Sequence, residues 1–205
     1  MQDKKISKPH PIRRIVEKVS EYNDIAEIGE MARRYFAMNA FDGVLTIIGV
    51  LMGSMTAHVT DPNVVVTTGL STSIAMGISG LWGSYLTESA ERKHDLDELG
   101  KSTLTSLKKS RIGRASRFAA VVVSIVDGIS PFLASLLVLV PFFFSRHFPN
   151  IQMVFYVSLG WALLTLFALG IFLGSISKDN LIISGIKTLI AGIASIIIGS
   201  LLNGH

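Results

Sequence analysis

Five long apolar runs, at about residues 36 to 58, 64 to 87, 118 to 144, 151 to 176 and 181 to 202, decide what this chain of 205 residues can fold into. Leu, Ile, Val, Phe, Ala and Gly dominate each run, and each is long enough to cross a hydrocarbon core of about 30 Å as a helix. A backbone in that core must satisfy its own polar groups, which long apolar segments do by becoming helices. The expected fold is therefore an all-α integral membrane protein with five transmembrane helices. Mean hydropathy, +0.51, agrees. The 17% of residues that are charged lie almost wholly outside the runs. Residues 1–34 are expected to form a cytoplasmic amphipathic helix, 35–87 the first two spans, 88–117 a cytoplasmic acidic and basic helical connection, and 118–205 the last three spans.

Orientation follows from Lys and Arg, which are retained on the cytoplasmic side of membranes, whereas acids matter little. Eight of the nineteen precede the first span (Lys4, Lys5, Lys8, Arg13, Arg14, Lys18, Arg33, Arg34), and eight more lie from Arg92 to Arg117. Lys178 joins them on that side. Only Arg146, with His58 and His147, falls on the other. The N-terminus is thus expected in the cytoplasm and the C-terminal NGH outside. The net charge of +4 then reflects topology and anionic headgroups, not nucleic acid. No secretory signal is visible, because the first 30-odd residues are polar. With no cysteine there is no disulfide and no thiolate metal site.

The N-terminal segment carries Pro11 as a helix opener and then Ile12, Ile15, Val16, Val19, Tyr22, Ile25 and Ile28 at helical spacing. Such a helix lies at the headgroup layer or packs on the second cytoplasmic segment.

Two aspartates stand inside apolar runs, Asp42 in AFDGVLTIIGVLMGS and Asp127 in SIVDGISPFLASLLVLV, each followed at once by glycine. A carboxylate within a spanning helix costs roughly 2.5 to 3.5 kcal/mol on insertion scales, so it lines an ion or proton path or pairs with a charge. Lys187, about two turns into the fifth span, is the one basic residue at similar depth: it snorkels, or it is their counter-ion. Around the first span Thr46, Gly49, Gly53 and Ala57 share the face of Asp42. The second span has Gly69, Ser73, Gly77, Gly80 and Ser84 on one face, and the fifth has Gly185, Thr188, Gly192, Ser195 and Gly199. Stripes of small residues are the ordinary device of close helix packing, and they also leave room for a narrow permeation path. Packing explains the glycines but not Asp42.

An internal repeat is suggested: the Gly-Ser of WGSYLTES comes 41 residues after Asp42, and that of LGSISKDN 47 after Asp127. Two parallel helix pairs would place a site at their interface, as in many transporters. Pro131 and Pro141 free backbone carbonyls in the third span and can kink or break it, or be simply packed.

Glu88, Glu91, Asp95 and Glu98 recur at helical spacing beyond the second span, with His94 at their border. Hard or borderline cations such as Mn²⁺ and Fe²⁺ accept oxygen and imidazole ligands, although acidic stripes are more often solvated faces. Met52 and Met76 offer thioethers, which bind soft metals but more often fill gaps. No nucleophile, base and orienter occur together, so bond-making catalysis is not expected.

The segments RYFAMNAFDGVLTIIGVLMGS, GISGLWGSYLTESAE and DGISPF and the glycine-rich last span resemble the vacuolar iron transporter family over about residues 33 to 202. The resemblance implies five spans and a homodimer that exports Fe²⁺ or Mn²⁺ from the cytosol, across a vacuolar or cell membrane, in exchange for protons. No permanently bound cofactor is implied. The family's first-span aspartate corresponds to Asp42. Where its second span carries a metal-binding Met and Glu, this chain has Gly80 and Ser84. The family's longer glutamate-rich cytoplasmic domain is replaced by a connection of about 30 residues. On this reading Asp42 and Asp127, with Thr46, Gly49, Ser84 and Lys187 along the path, alternate between a divalent cation and protons. Glu88, Glu91, His94, Asp95 and Glu98 collect cations at the mouth, with Met52 and Met76 as further ligands.

Overall fold

The computed structural model describes residues 11–202, with side chains from 17 to 201. Lys4, Lys5, Lys8, the side chains of Ile12, Arg13, Arg14, Ile15 and Val16, and the C-terminal NGH lie outside the described residues. The described chain is all-helical: α1 (Pro11–Ala26), α2 (Ile28–Thr56), α3 (Pro62–Ser102), α4 (Arg111–Phe143), α5 (Ile151–Ser177) and α6 (Leu181–Leu202), with one short turn of 3₁₀ helix at Ser145–His147. Five of these, α2 to α6, are long and apolar enough to cross a membrane.

Caps and turn conformations, not apolarity, set the ends of the helices. Glu27 adopts a left-handed conformation (φ 49°) and separates α1 from α2, while the Asn23 carboxamide oxygen accepts the Gly29 amide at 2.8 Å. Asp61 caps α3 through the Asn63 amide, with Pro62 at the first helical position. Asn150 caps α5 by accepting from the Met153 amide at 2.9 Å, and Lys178, left-handed at φ 58°, ends it. α3 has 41 residues, roughly twice what a span requires, so its acidic half continues the second span as one helix beyond the apolar layer.

α4 is the central element, packing against α2, α3 and α5, and half of its apolar window is buried. Pro131 and Pro141 lie inside it without ending it. The core joins Val44, Ile47, Ile48 and Leu51 of α2, Val138, Leu139 and Phe142 of α4, and Phe155, Ala162 and Leu166 of α5, with Phe142 and Phe155 edge to face at 5.0 Å. Hydroxyls bond across helices where no water competes: Ser158 donates to the Val138 carbonyl at 2.6 Å, and Thr188 to the Leu166 carbonyl at 2.8 Å.

The small-residue stripes divide by use. That of α3 lies on α4, with Gly69 against Leu139 and Gly77 against Gly128. That of α6 lies on α5, where Gly185 meets Phe167, before Gly199 meets Met52 of α2. That of α2 is left open, since Gly49 and Gly53 have no neighbour within 4 Å of where a Cβ would stand. Only 17% of the apolar window of α3 and 11% of that of α6 is buried, so both helices face mostly outward. α1 docks on the start of α4, through Glu21 to Arg111 at 3.0 Å and Tyr22 to Phe118.

Candidate functional site

The two Asp-Gly pairs are packing devices as well as charges. A Cβ on Gly43 would lie 2.6 Å from the Pro131 carbonyl oxygen, so glycine beside Asp42 is what lets α2 approach α4. A Cβ on Gly128, beside Asp127, would lie 2.6 Å from the Gly77 carbonyl oxygen, which brings α3 onto α4 in the same way. Each aspartate is thereby held where two helices nearly touch.

Asp127 is buried, 7% exposed, and accepts a hydrogen bond from the Asn39 carboxamide of α2. Asn39 also donates to the Tyr35 carbonyl one turn back. Asp42, on the same helix, lies within electrostatic reach of Asp127 but is itself exposed. Pro131 has no N–H to give the Asp127 carbonyl four residues earlier. That carbonyl faces Gly80 of α3, where a Cβ would stand 3.2 Å from its oxygen and 3.5 Å from the carboxylate. Glycine at 80 thus lets α3 approach the Asp127 carbonyl and carboxylate closely.

Following α3 in steps of four, Gly80 leads to Ser84, Glu88 and Arg92 along one face. Ser84 is buried, and its hydroxyl is a hydrogen-bonding neighbour of the Asp127 carboxylate, though short of full hydrogen-bond geometry. Glu88, 7% exposed, accepts from the Tyr35 hydroxyl at 2.7 Å and from Arg92 at 3.0 Å. Arg92 reaches on to the Met31 sulfur at 3.2 Å. A polar seam therefore runs from Arg92 through Glu88, Tyr35 and Asn39 to Asp127 and Asp42, bridging α2, α3 and α4 at the end of the bundle where the basic segments lie.

Of the residues singled out by sequence, the fold brings together Asp42, Asp127, Ser84 and Glu88. Thr46 and Gly49 continue the open face of α2 beyond Asp42. Glu91, His94, Asp95 and Glu98 remain on the exposed side of α3, apart from Glu88. Among the described residues no three His, Asp or Glu side chains converge closely enough to hold a metal ion in this conformation. Met52 is buried against Gly199 in the core, and Met76 is half-buried on α3. Lys187 is exposed on α6 and makes no ion pair among the described residues, and the cation bonded to a buried acid is Arg92. Arg92 stands beside the acidic stripe in the sequence, four residues after Glu88, whereas nothing in the sequence marks Tyr35 and Asn39 as site residues beyond their spacing: they precede Asp42 by seven and three residues, on its own face.

A model described as the VIT family matches residues 34–110. The chain is also 36% identical over 169 residues to a protein of Methanocaldococcus jannaschii named "Uncharacterized protein MJ0645", covering 81% of this chain and 85% of that protein.

Proposed function

The chain belongs to the vacuolar iron transporter (VIT) family, a family of membrane transporters, and from that premise we propose that it carries divalent metal ions, Fe²⁺ or Mn²⁺, out of the cytosol in exchange for protons. One observation carries the reading: three helices of a membrane bundle each contribute an acid to one seam, where Asp42 and Glu88 both lie within electrostatic reach of the buried Asp127 and Gly80 lets α3 come close to it. Carboxylates are placed at such depth at a cost, and transport pathways are where that cost is commonly met. Asp42, open on its outer side, would receive the cation. Asp127, with its free backbone carbonyl, would take it as the helices rock, and Glu88 would hand it over from the basic, cytoplasmic end. Proton binding at the same carboxylates returns the carrier. The N-terminus lies in the cytoplasm of a multi-pass protein of a cell or vacuolar membrane, and a second copy covers the open face of α2 to make a homodimer.

A second reading has its own observation. Asp127 is satisfied by Asn39, and Glu88 by Tyr35 and Arg92, so the seam also suits a structural lock in a non-transporting scaffold or metal sensor. Gly80 and Ser84, replacing larger ligands, equally suit a carrier of another substrate. Uptake of Fe²⁺ and Mn²⁺ into proteoliposomes, with and without a pH gradient, separates these readings. The expected result is flux that needs both the gradient and Asp42, and that Asp42→Asn abolishes while the protein stays folded. Full flux through that variant sinks the mechanism, and no flux of either metal from well-inserted wild-type protein sinks the Fe²⁺ or Mn²⁺ reading in favour of another substrate or a non-transporting role.

A further inference from the structure

A cavity of about 510 Å³ opens between α3 and α4, on the far side of Arg92 from the carboxylate seam. Four cations line it, Arg92, Lys93, Lys108 and Arg117, and no carboxylate does. Its chemistry is therefore opposite to that of the seam, because a metal ion would be repelled and an anion drawn in. Arg92 is bonded to Glu88 and Lys108 to Asp97 at 3.2 Å. Lys93 and Arg117 are exposed and make no ion pair among the described residues. Two cations, one from each helix, are thus left to meet a ligand, and the hydroxyls of Ser89 and Ser116 add donors.

The position of the cavity identifies the class of anion. Arg117 immediately precedes the apolar run of α4, and Lys93 lies six residues beyond that of α3, so both stand at headgroup level. α3 and α4 nearly touch at Gly77 and Gly128, and the cavity lies further along, towards their basic ends. Below it, towards the bilayer centre, the flanks carry exposed apolar side chains, Leu81 and Tyr85 from α3 and Val121 and Ile125 from α4. A soluble phosphate compound has no use for that apolar bed, whereas acyl chains do. We propose that this cavity binds the phosphate headgroup of an anionic phospholipid of the surrounding leaflet, with Lys93 and Arg117 as its charge partners and the α3–α4 flank as the bed of its chains. Basic pockets between spanning helices recognise such headgroups by the same combination of charge and depth.

The test uses the full chain in nonionic detergent and titrates dioleoyl phosphatidylglycerol, dioleoyl phosphatidylcholine and glycerol 1-phosphate, with bound lipid read by native mass spectrometry. Phosphatidylglycerol is expected to bind in preference to phosphatidylcholine, and Lys93→Gln with Arg117→Gln is expected to weaken it about tenfold or more. Lys101→Gln with Lys109→Gln removes the same charge from the same end but outside the cavity, and should leave binding unchanged. Size exclusion and thermal unfolding check that each variant is folded. Equal binding of the two lipids, unchanged binding by the Lys93 and Arg117 variant, or equal loss in the control pair overturns the proposal. Displacement of the lipid by equimolar glycerol 1-phosphate would assign the cavity to a soluble phosphate compound and also overturn it.

Discussion

Glu88 shows how much one residue's surroundings decide. Its neighbours on the same helix, Glu91, Asp95 and Glu98, stay in solvent, whereas Glu88 is turned inward to Tyr35 and Arg92. A hydrogen bond to a charged group contributes about 1.5 to 3 kcal/mol, and a buried partner left unpaired costs a similar amount. Tyr35→Phe should therefore lower stability by about 1 to 3 kcal/mol, measured by thermal unfolding in detergent. Because the two groups share one bond, Tyr35→Phe combined with Glu88→Gln should destabilise less than the sum of the single changes by about 1 kcal/mol. Strict additivity would show that the pair contributes nothing to the fold. Asn39→Ala tests the next link, and should unsettle Asp127, whose carboxylate it bonds, by about 1 to 3 kcal/mol.

At the level of helices, glycines that look alike in sequence do different work. Gly43 is pressed on the Pro131 backbone, so Gly43→Ala should cost about 1 to 3 kcal/mol through a forced shift of α2 from α4. Gly49→Ala meets nothing within 4 Å, and should leave the stability of the single chain within about 1 kcal/mol of wild type or raise it through better helix propensity. Equal effects at both positions, in the same unfolding assay, would contradict the packing described. The five spans were legible because apolar length alone determines them in a membrane. The continuation of α3 past Glu88 was legible too, from the helical spacing of its acids, but the start of α2 was not: it begins at Ile28, not residue 36, because the turn at Glu27 sets it and hydropathy does not register such turns. Of the site, the carboxylates Asp42 and Asp127 could be picked out by their cost in an apolar run. Tyr35 and Asn39 could not, since their importance depends on which face of α2 meets α3 and α4, a long-range fact with no local signature, whereas Arg92 has one in its i,i+4 spacing from Glu88. The same reason explains Lys187: depth left it either a snorkelling cation or a counter-ion, and α6 packs on α5 and α2 with that side chain turned outward.

For the whole molecule, the open face of α2 is the unresolved surface of the fold. Asp42 is exposed on it, beside Thr46, Gly49 and Gly53, and a carboxylate facing lipid near this depth would cost roughly 2.5 to 3.5 kcal/mol. Small residues at four-residue spacing admit another helix backbone, and an isologous two-fold contact through this face would remove Asp42 from lipid in both copies at once. In such a contact a residue near the axis meets itself. The chain has no cysteine, so a single introduced thiol reports its own surroundings. Thr46→Cys and Gly53→Cys are expected to give disulfide-linked dimers in membranes under mild oxidation. Ile78→Cys, on the outward face of α3, is expected to stay monomeric in the same gel. A dimer linked only through Ile78 would place the two-fold axis on α3 instead and leave Asp42 facing lipid. The proposal that a second copy completes the path at Asp42 would then be wrong, even if metal flux were found.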